Sequence, residues 1–303
     1  MNITIGLLGC GLWGQNILRD LLQLGCRVTV VEPNEVNRRR ATALGAQDVV
    51  ASDGKMSAVQ GIIVATPAST HATVIDQILD RGVPIFVEKP LTTDTQSAVR
   101  LTELAPERLF VMHIWRYHPG VELLGNIARS EELGPVTMIR TVRTNWTSPR
   151  RDTDSIWTLV PHDLSIAAEI LGTIPAARFA VADAPKEQPL GLIAILGDHP
   201  SFVLEVSNRY PDKRREIRVH CRDGVAVLPS GEGSEVEITR LSAGELESTT
   251  ERRSFSTEPP LRRELAAFLQ HLRGGPPPRS NAAEGLAVVR TIAHMRVLAN
   301  LTT

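Results

Sequence analysis

Cysteine is scarce in this sequence, and this limits the classes of protein to consider. Only Cys10, Cys26 and Cys221 occur among the 303 residues. Their spacing suits neither a disulfide framework nor a zinc site. We therefore expect reduced thiols, no bound metal and a cytoplasmic protein.

Net charge is almost absent as well. The chain has 33 Lys and Arg against 34 Asp and Glu, which gives a net charge of −1. Such a balance provides no basic surface for nucleic acid or for an anionic membrane. The sequence also lacks an apolar run long enough to span a bilayer. No basic segment precedes its first apolar run, so we expect no signal peptide there.

Strand-like and helix-like segments alternate from the N-terminus to about His113. Short apolar runs such as ITIGLL, RVTVVE and GIIVAT are separated by amphipathic stretches such as LWGQNILRDLLQLG. This alternation predicts an α/β fold with a doubly wound parallel sheet of the Rossmann type.

The pattern changes after about residue 118. A helix at 119–130 and an alternating strand, TMIRTVRTNW, precede a helix that we expect to begin at His162. Consecutive strands then run from Ala177 to Ile238, which predicts an α+β domain with an open, mainly antiparallel sheet. We therefore divide the chain into domains 1–118 and 119–303, with the final helix (about 281–300) able to pack back on the first domain.

The first predicted turn carries glycines at the spacing G-x-G-x-x-G. Gly9, Gly11 and Gly14 follow a strand and open a helix, as a dinucleotide site requires. Glu32 ends the second strand, where a carboxylate can accept hydrogen bonds from the ribose hydroxyls of NAD. The alternative is a structural glycine turn in an α/β protein with another ligand.

Three consecutive arginines, Arg38, Arg39 and Arg40, bear on the choice of cofactor. An arginine just past the second strand could bind the 2′-phosphate of NADP. The other interpretation is a solvated helix face, which we prefer because Glu32 would repel that phosphate.

A lysine lies where another predicted strand ends, in the sequence VEKPL. Ligands of open α/β sheets bind at the carboxyl ends of the strands, so Lys89 would lie near the nicotinamide. A lysine in such a turn is otherwise more often simply solvated. The following Pro90 admits a cis peptide bond.

These motifs resemble those of a known family. GLLGCGLWGQN, ATPASTH and VEKPL follow three predicted strands, and RYHPG, ELGPV, WTLVPHDLSIAAEILG and AAEGLAVVRTI follow in order. In this combination the whole chain resembles the Gfo/Idh/MocA family of oxidoreductases. The resemblance implies NAD(P)-dependent oxidation of a hydroxyl group of a sugar, nucleotide-linked sugar or cyclitol, or reduction of the ketone. It also implies assembly through the open sheet, so we expect a homodimer or homotetramer.

The resemblance assigns roles to two residues. By match of motif, Lys89 would hydrogen-bond the reacting oxygen, and His162 would exchange a proton with the hydroxyl group. Without the resemblance, a histidine at a helix start is more often structural. The expected cofactor-binding residues are Gly9, Gly11, Leu12, Trp13, Gly14, Glu32, Thr66, Pro67, His71, Glu88 and Lys89.

The sequence departs from the family pattern at two positions near His162. Many members have Asp four residues before this histidine and another Asp three residues after it, where this chain has Thr158 and Ser165. One interpretation is an enzyme of the branch that acts on nucleotide-linked sugars, which the W-x-x-x-P-H-D-x-S form resembles. The other is a protein that binds NAD(P) without catalysis, as a sensor or regulator. The retained Lys89 and His162 favour the enzyme.

A polar loop, NWTSPRRDTDS, precedes the His162 helix and could form a substrate rim. Its arginines could pair with a diphosphate or a carboxylate, or the loop could simply be solvated. Trp157 could stack on a sugar or belong to the core. The residues expected to bind substrate are Arg116, His118, Arg150, Arg151, Trp157 and Asp163.

Overall fold

The computed structural model describes residues 3–146, 152–183, 188–241 and 248–301. These residues form two compact units. The first comprises Met1–Ile114 and Pro259–Val289, and the second comprises Trp115–Glu258 and Arg290–Thr303. Among the described residues, no helix has the length and apolarity to cross a membrane.

The first unit is built on a parallel sheet of six strands. Its strands are β1 Thr4–Leu8, β2 Arg27–Val31, β3 Asp48–Val50, β4 Gly61–Val64, β5 Ile85–Glu88 and β6 Leu109–Met112. Helices connect them: α1 Leu12–Gln23, α2 Glu35–Leu44, α3 His71–Ile78 and α4 Thr95–Leu104. The strand order β3-β2-β1-β4-β5-β6 is that of a doubly wound nucleotide-binding sheet. The predicted fold class is thus confirmed.

A C-terminal helix completes the core of the first unit. Helix α7, Pro260–Leu272, buries Leu261, Leu265, Phe268 and Leu269, an apolar stripe at helical spacing, in the core that α1 also covers. The sequence predicted a second domain over 119–303, with the final helix (about 281–300) able to pack back on the first domain. Pro259–Val289 instead belongs to the first unit, because this stripe is buried there. Helix α8, Ala282–Leu298, contributes residues to both units.

The second unit contains helices α5 Pro119–Arg129 and α6 Ser155–Leu171 and a sheet of eight strands. Its strands are β7 Val136–Trp146, β8 Ala177–Ala182, β9 Gly191–Leu196, β10 Ser201–Ser207, β11 Arg209–Cys221, β12 Gly224–Leu228, β13 Glu235–Leu241 and β14 Ser248–Ser254. They lie in the order β14-β13-β12-β11-β7-β10-β9-β8, and each adjacent pair except β7–β10 is antiparallel. This agrees with the expected mainly antiparallel sheet.

The two faces of this sheet differ in burial. Along β9 and β10 the buried residues alternate with more exposed ones, as expected where helices cover one face only. Helix α6 packs on the covered face. On the other face, four apolar side chains of β8 and β9 are 40–53% exposed. They are Phe179, Val181, Ile193 and Ile195.

Two elements differ from the sequence prediction. The prediction that α6 begins at His162 is wrong, because the helix begins at Ser155. Its N-cap is Asp154, whose Oδ1 accepts hydrogen bonds from the amides of Ile156 (3.0 Å) and Trp157 (3.2 Å). Pro161 suggested a helix start but lies inside the helix. Strand β14, STTERRS, was not predicted because its sequence lacks apolar alternation, and its position comes from pairing with β13.

Candidate active site

The three glycines of the first turn meet different surroundings. Gly9 has φ of 92°, and a Cβ atom there would lie 2.6 Å from the carbonyl oxygen of Ala65. A Cβ atom at Gly14 would lie 2.3 Å from the carbonyl oxygen of Gly9. Beside Gly11, in contrast, no atom lies within 4 Å of a Cβ position. The fold itself therefore requires Gly9 and Gly14, whereas the space beside Gly11 is open to a ligand.

The N-terminus of α1 follows this turn. Gly11 is its N-cap, has no side chain to cap the helix, and is followed by a first turn without an acidic residue. Leu12 is 84% exposed and Trp13 41%. The first-turn amides and the positive end of the helix dipole are thus available to an anion, as a pyrophosphate site requires.

Glu32 lies buried at the end of β2, beside the glycine turn. Its Oε2 accepts a hydrogen bond from the Cys10 amide (2.7 Å) and its Oε1 accepts one from the Asn34 amide (2.9 Å). Each oxygen retains a lone pair for a ligand hydroxyl group. The Arg38 guanidinium donates to the carbonyl oxygens of Glu32 (3.0 Å) and Pro33 (2.6 Å), so it lies at the same strand end.

The other two arginines of this run lie on the exposed side of α2. Arg39 pairs with Glu35 one turn earlier, and both side chains are largely exposed. Arg40 is exposed as well. These two residues occupy the solvated helix face that we preferred from the sequence, whereas Arg38 is bonded to the end of β2.

His71 connects the turns that follow β4 and β5. Its Nδ1 is 2.8 Å from the carbonyl oxygen of Pro90, and its Nε2 is 3.1 Å from that of Thr66. Burial lowers the pKa of His71, and the nearby Lys89 charge lowers it further, against the opposing effect of the carbonyl contacts. The neutral ring donates to one carbonyl at a time. The contact with the Thr66 carbonyl oxygen fixes the turn after β4, which also carries the exposed Pro67.

The turn after β5 carries Glu88 and Lys89. The Lys89–Pro90 peptide bond is cis, and the Lys89 amide donates to Glu88 Oε2 (3.2 Å). The Trp13 indole N–H donates to Glu88 Oε1. Glu88 therefore joins the glycine-rich turn to the lysine turn at the carboxyl edge of the first sheet. The half-buried Lys89 follows directly.

In the second unit, His162 lies within α6 and is half-buried. The two positions that lack the expected Asp lie one turn away on either side. Thr158 Oγ1 donates to the carbonyl oxygen of Asp154 (2.9 Å), and Ser165 Oγ donates to that of His162 itself (2.7 Å). Both hydroxyl groups thus bond to the helix backbone, in place of the carboxylates of the family pattern.

Asp163 belongs to a buried chain of polar contacts in the second unit. Its Oδ2 accepts from Arg143 Nε (2.7 Å), and both side chains are less than 5% exposed. The Arg143 guanidinium lies 4.4 Å from the centre of the Trp115 ring, which stacks on His118 at 5.0 Å. His118 Nε2 is 3.0 Å from the carbonyl oxygen of Gly231. Substrate contacts of Asp163 and His118 stay predictions.

A second arginine faces this ion pair. Arg215 of β11 lies directly opposite Arg143 of β7 in the antiparallel ladder, so both side chains share one face of the sheet. Arg215 donates to the carbonyl oxygen of Thr144 (2.8 Å). Burial, and then the Arg143 charge, lower the pKa of Arg215 to about 10, while Asp163 opposes this effect. Two guanidinium groups thus lie in the field of one buried carboxylate.

The remaining expected substrate residues lie in different surroundings. Arg116 Nε donates to Glu169 Oε2 of α6 (3.1 Å). Trp157 is buried in α6. Arg150 and Arg151 lie outside the described residues.

Sequence reasoning did not single out Arg143, Trp115 or Arg215. On β7, Arg143 lies two residues after the buried Thr141, so both side chains point to the same, covered face of the sheet. This alternation is the sequence signal that could have identified Arg143. Arg215 joins it through strand register, and Trp115 joins it from a short 3-10 helix, Ile114–Tyr117, and no local sequence pattern reveals either contact. Among the described residues, no group of three or more His, Cys, Asp or Glu could hold a metal ion.

Comparison with known proteins agrees with this geometry. Residues 3–114 match the family model GFO_IDH_MocA, described as an oxidoreductase family with an NAD-binding Rossmann fold. UDP-N-acetylglucosamine 3-dehydrogenase of Acidithiobacillus ferrooxidans is 33% identical over 133 residues, which are 43% of this chain and 41% of the relative. Inositol 2-dehydrogenase of Pseudarthrobacter chlorophenolicus is 28% identical over 48% of this chain and 47% of the relative. The matched segments thus span less than half the length of these two relatives.

Solved structures extend the likeness in fold to the whole chain. The structure of the A. ferrooxidans UDP-N-acetylglucosamine 3-dehydrogenase has a TM-score of 0.84 at 24% identity and covers 98% of both chains. Levoglucosan dehydrogenase in complex with NADH and levoglucosan has a TM-score of 0.86 at 14% identity, covering 99% of this chain and 98% of the other. At these identities, the similarity concerns the fold.

Proposed function

Because residues 3–114 match the model of the Gfo/Idh/MocA oxidoreductase family, we propose that this chain is an NAD(P)-dependent dehydrogenase acting on a hydroxyl group of a sugar, nucleotide-linked sugar or cyclitol. The observation that carries the proposal is the joining of two turns at the carboxyl edge of the first sheet. Glu88 accepts hydrogen bonds from Trp13, in the glycine-rich turn, and from the Lys89 amide. These hydrogen bonds connect the turn that carries the proposed catalytic Lys89 with the start of α1, beside the proposed nucleotide-binding turn.

The residues present fit a dinucleotide. The open space beside Gly11 and the uncapped N-terminus of α1 suit a pyrophosphate, and Glu32 suits a ribose diol. When bound, the nicotinamide ring supplies the hydride acceptor or donor. We prefer NAD over NADP because the Glu32 carboxylate disfavours a 2′-phosphate, although Arg38 lies at the same strand end.

In the proposed mechanism, two side chains act on the reacting hydroxyl group. The Lys89 ammonium group donates a hydrogen bond to its oxygen and stabilises the negative charge that develops there. The His162 imidazole takes the hydroxyl proton in the oxidation direction and returns it in the reduction direction. An imidazole suits this exchange near neutral pH.

For the substrate, we propose a nucleotide-linked sugar as the first candidate. Arg143 and Arg215 face each other beside one buried carboxylate, Asp163, with the carboxylate of Glu232 also near Arg215. Two like charges opposite each other in this arrangement favour an anionic partner. The W-x-x-x-P-H-D-x-S form at Trp157–Ser165 and a relative named UDP-N-acetylglucosamine 3-dehydrogenase support the same class.

We also propose that the protein is a homodimer or homotetramer that uses the exposed face of the second sheet. Phe179 and Val181 of β8 lie opposite Ile195 and Ile193 of β9 and form one apolar surface, which association would remove from water.

The decisive experiment is a screen of nucleotide sugars, free sugars and inositols, followed by NADH absorbance. With the substrate that responds, Lys89→Met and His162→Ala should each lower turnover by about a hundredfold or more. His162→Ala, which lies outside the expected cofactor-binding set, should bind NADH as the wild type does. The exposed Lys55→Met and His294→Ala serve as matched controls and should leave turnover unchanged.

Wild-type turnover in both the Lys89 and His162 variants would refute the proposed roles. Tight binding of NADH without turnover across the whole panel would favour a sensor or regulatory protein instead. Comparison of the Kd values for NADH and NADPH tests the cofactor preference in the same experiment.

A further inference from the structure

Helix α7 carries a carboxyl group in the interior of the first unit. Glu264 is 0% exposed, and neither of its carboxyl oxygens receives a hydrogen bond from the described residues. Its neighbours along the buried stripe of α7 are apolar, including Leu261, Leu265 and Phe268. Burial of a carboxyl group without a hydrogen-bond partner is costly, so Glu264 needs a structural or functional reason for its position.

The position of Glu264 is set by an aromatic contact one helical turn away. Phe268 lies on the same face of α7 as Glu264, and its ring centre is 4.9 Å from that of Phe86 on β5. Glu88 follows two residues later on the same face of β5. Leu272, one turn beyond Phe268, lies beside Gly61 at the start of β4, so α7 runs against the direction of the strands. Glu264 is therefore placed towards the end of β5 that carries Glu88.

Only one of these two carboxyl groups can be charged at low cost. Burial first, and then the charge of Glu88, raise the pKa of Glu264 well above its ordinary value of 4.5. Glu88 is half-buried, and its carboxyl oxygens accept hydrogen bonds from the Trp13 indole N–H and the Lys89 amide. Glu264 is thus the neutral member and has one O–H group to donate.

Other charged groups near α7 do not offset this arrangement. On α1, Arg19 and Asp20 pair with each other at 2.8 Å. Strands β1, β4 and β6 carry no charged residue along Thr4–Leu8, Gly61–Val64 and Leu109–Met112. Glu88 is the charged group that faces Glu264 from β5, and Lys89 follows it in the chain.

We propose that Glu264 is a positioning residue of the nucleotide site, which donates its carboxyl proton in a hydrogen bond to Glu88 and so holds Glu88 against Trp13 and the Lys89 amide. The proposal rests on the proposed function in one respect only, that the first unit binds NAD(H). Glu264 itself touches neither substrate nor cofactor and acts through Glu88.

Two substitutions separate hydrogen-bond donation from packing. Glu264→Gln keeps a donor but cannot ionise, whereas Glu264→Met has similar length and no donor. We expect Glu264→Gln to bind NADH as the wild type does. Glu264→Met should bind about tenfold more weakly, as expected for a lost hydrogen bond to a charged group. Leu269→Ala, a buried change on the same helix, should lower stability without weakening NADH binding.

A second measurement tests the protonation state without any ligand. The folded protein retains the Glu264 proton to higher pH than the unfolded chain, so the stability that the neutral carboxyl contributes is lost as pH rises above its ordinary value of 4.5. The Tm of Glu264→Gln should therefore exceed that of the wild type at pH 8 by about 2–4 °C. This difference should disappear as pH falls towards 4.5.

The outcomes are distinct. NADH binding by Glu264→Met that equals the wild type, or a Glu264→Gln variant that binds as weakly as Glu264→Met, would overturn the proposal. The same Tm difference between Glu264→Gln and wild type at all pH values would overturn it too. A wild type that binds NADH but oxidises no sugar would refute the proposed reaction and leave this comparison valid. A wild type that does not bind NADH refutes both.

Discussion

The glycine-rich turn allows a sharp separation of folding from nucleotide binding. We compare Gly14→Ala with Gly11→Ala, two changes that each add one methyl group within the same short segment. At Gly14 the new Cβ atom would lie 2.3 Å from the carbonyl oxygen and 3.0 Å from the carbonyl carbon of Gly9. At Gly11 it would lie more than 4 Å from any other atom outside its immediate neighbours.

The expected magnitudes follow from these distances. The atoms that oppose the methyl group at Gly14 belong to the backbone and cannot rotate away, so α1 must move from the turn after β1. Such overpacking costs about 1–3 kcal/mol, and each kcal/mol corresponds to a fall in Tm of about 2–4 °C. Gly9→Ala combines a clash with strain at φ of 92°, which adds about 1–2 kcal/mol.

Gly11→Ala should behave in the opposite way. Its φ of −66° and ψ of −165° are accessible to alanine, and the loss of glycine at the N-cap costs about 1 kcal/mol. With NADH bound, the methyl group would hold the pyrophosphate away from the backbone. We expect about a tenfold to hundredfold loss of affinity, the equivalent of 1–3 kcal/mol of overpacking.

Thermal unfolding without ligand and NADH titration by fluorescence measure the two effects separately. Gly11→Ala should show weak NADH binding with a Tm within about 2–4 °C of the wild type, and Gly14→Ala should show the larger fall in Tm. Wild-type NADH affinity in Gly11→Ala would refute the placement of the pyrophosphate at this turn. A wild-type Tm in Gly14→Ala would refute the steric argument.

Two further predictions concern the second unit. Arg143→Leu should lower the free energy of unfolding in denaturant by about 3–5 kcal/mol, because it leaves the Asp163 charge buried and unpaired. The double variant with Asp163→Leu should recover most of this loss. A cost below about 1 kcal/mol for the single variant would contradict this interpretation. Phe179→Glu and Ile193→Glu should shift the mass measured by light scattering to that of a monomer, and an unchanged mass would exclude this face as the interface.

Much of the first unit could be predicted from local sequence. Its strands are short and mostly apolar, and α-helices follow four of them, so alternation indicates a parallel sheet. The glycine spacing and Glu32 are also local signals, because one turn and one strand end place them near each other. The start of α6 was missed although Asp154 and Ser155 form a good capping sequence, since Pro161 offered a competing signal.

Other features required contacts between distant segments. The sequence assigned α7 to the second domain because it follows the antiparallel strands, but its apolar stripe is buried on the first sheet. Arg143 meets Asp163 and Arg215 through strand register and helix packing. Strand β14 has no apolar alternation and exists through pairing with β13.

The sequence by itself determined the kind of fold and located the candidate nucleotide turn, because both depend on periodicity and spacing within short segments. The tertiary structure decided the surroundings of each acid. Glu32 and Glu88 accept hydrogen bonds from N–H groups of neighbouring turns, whereas Glu264 is buried without a donor among the described residues. All three are the same residue type in the sequence, and they differ because long-range packing sets the burial and the hydrogen-bond partners of each carboxyl group.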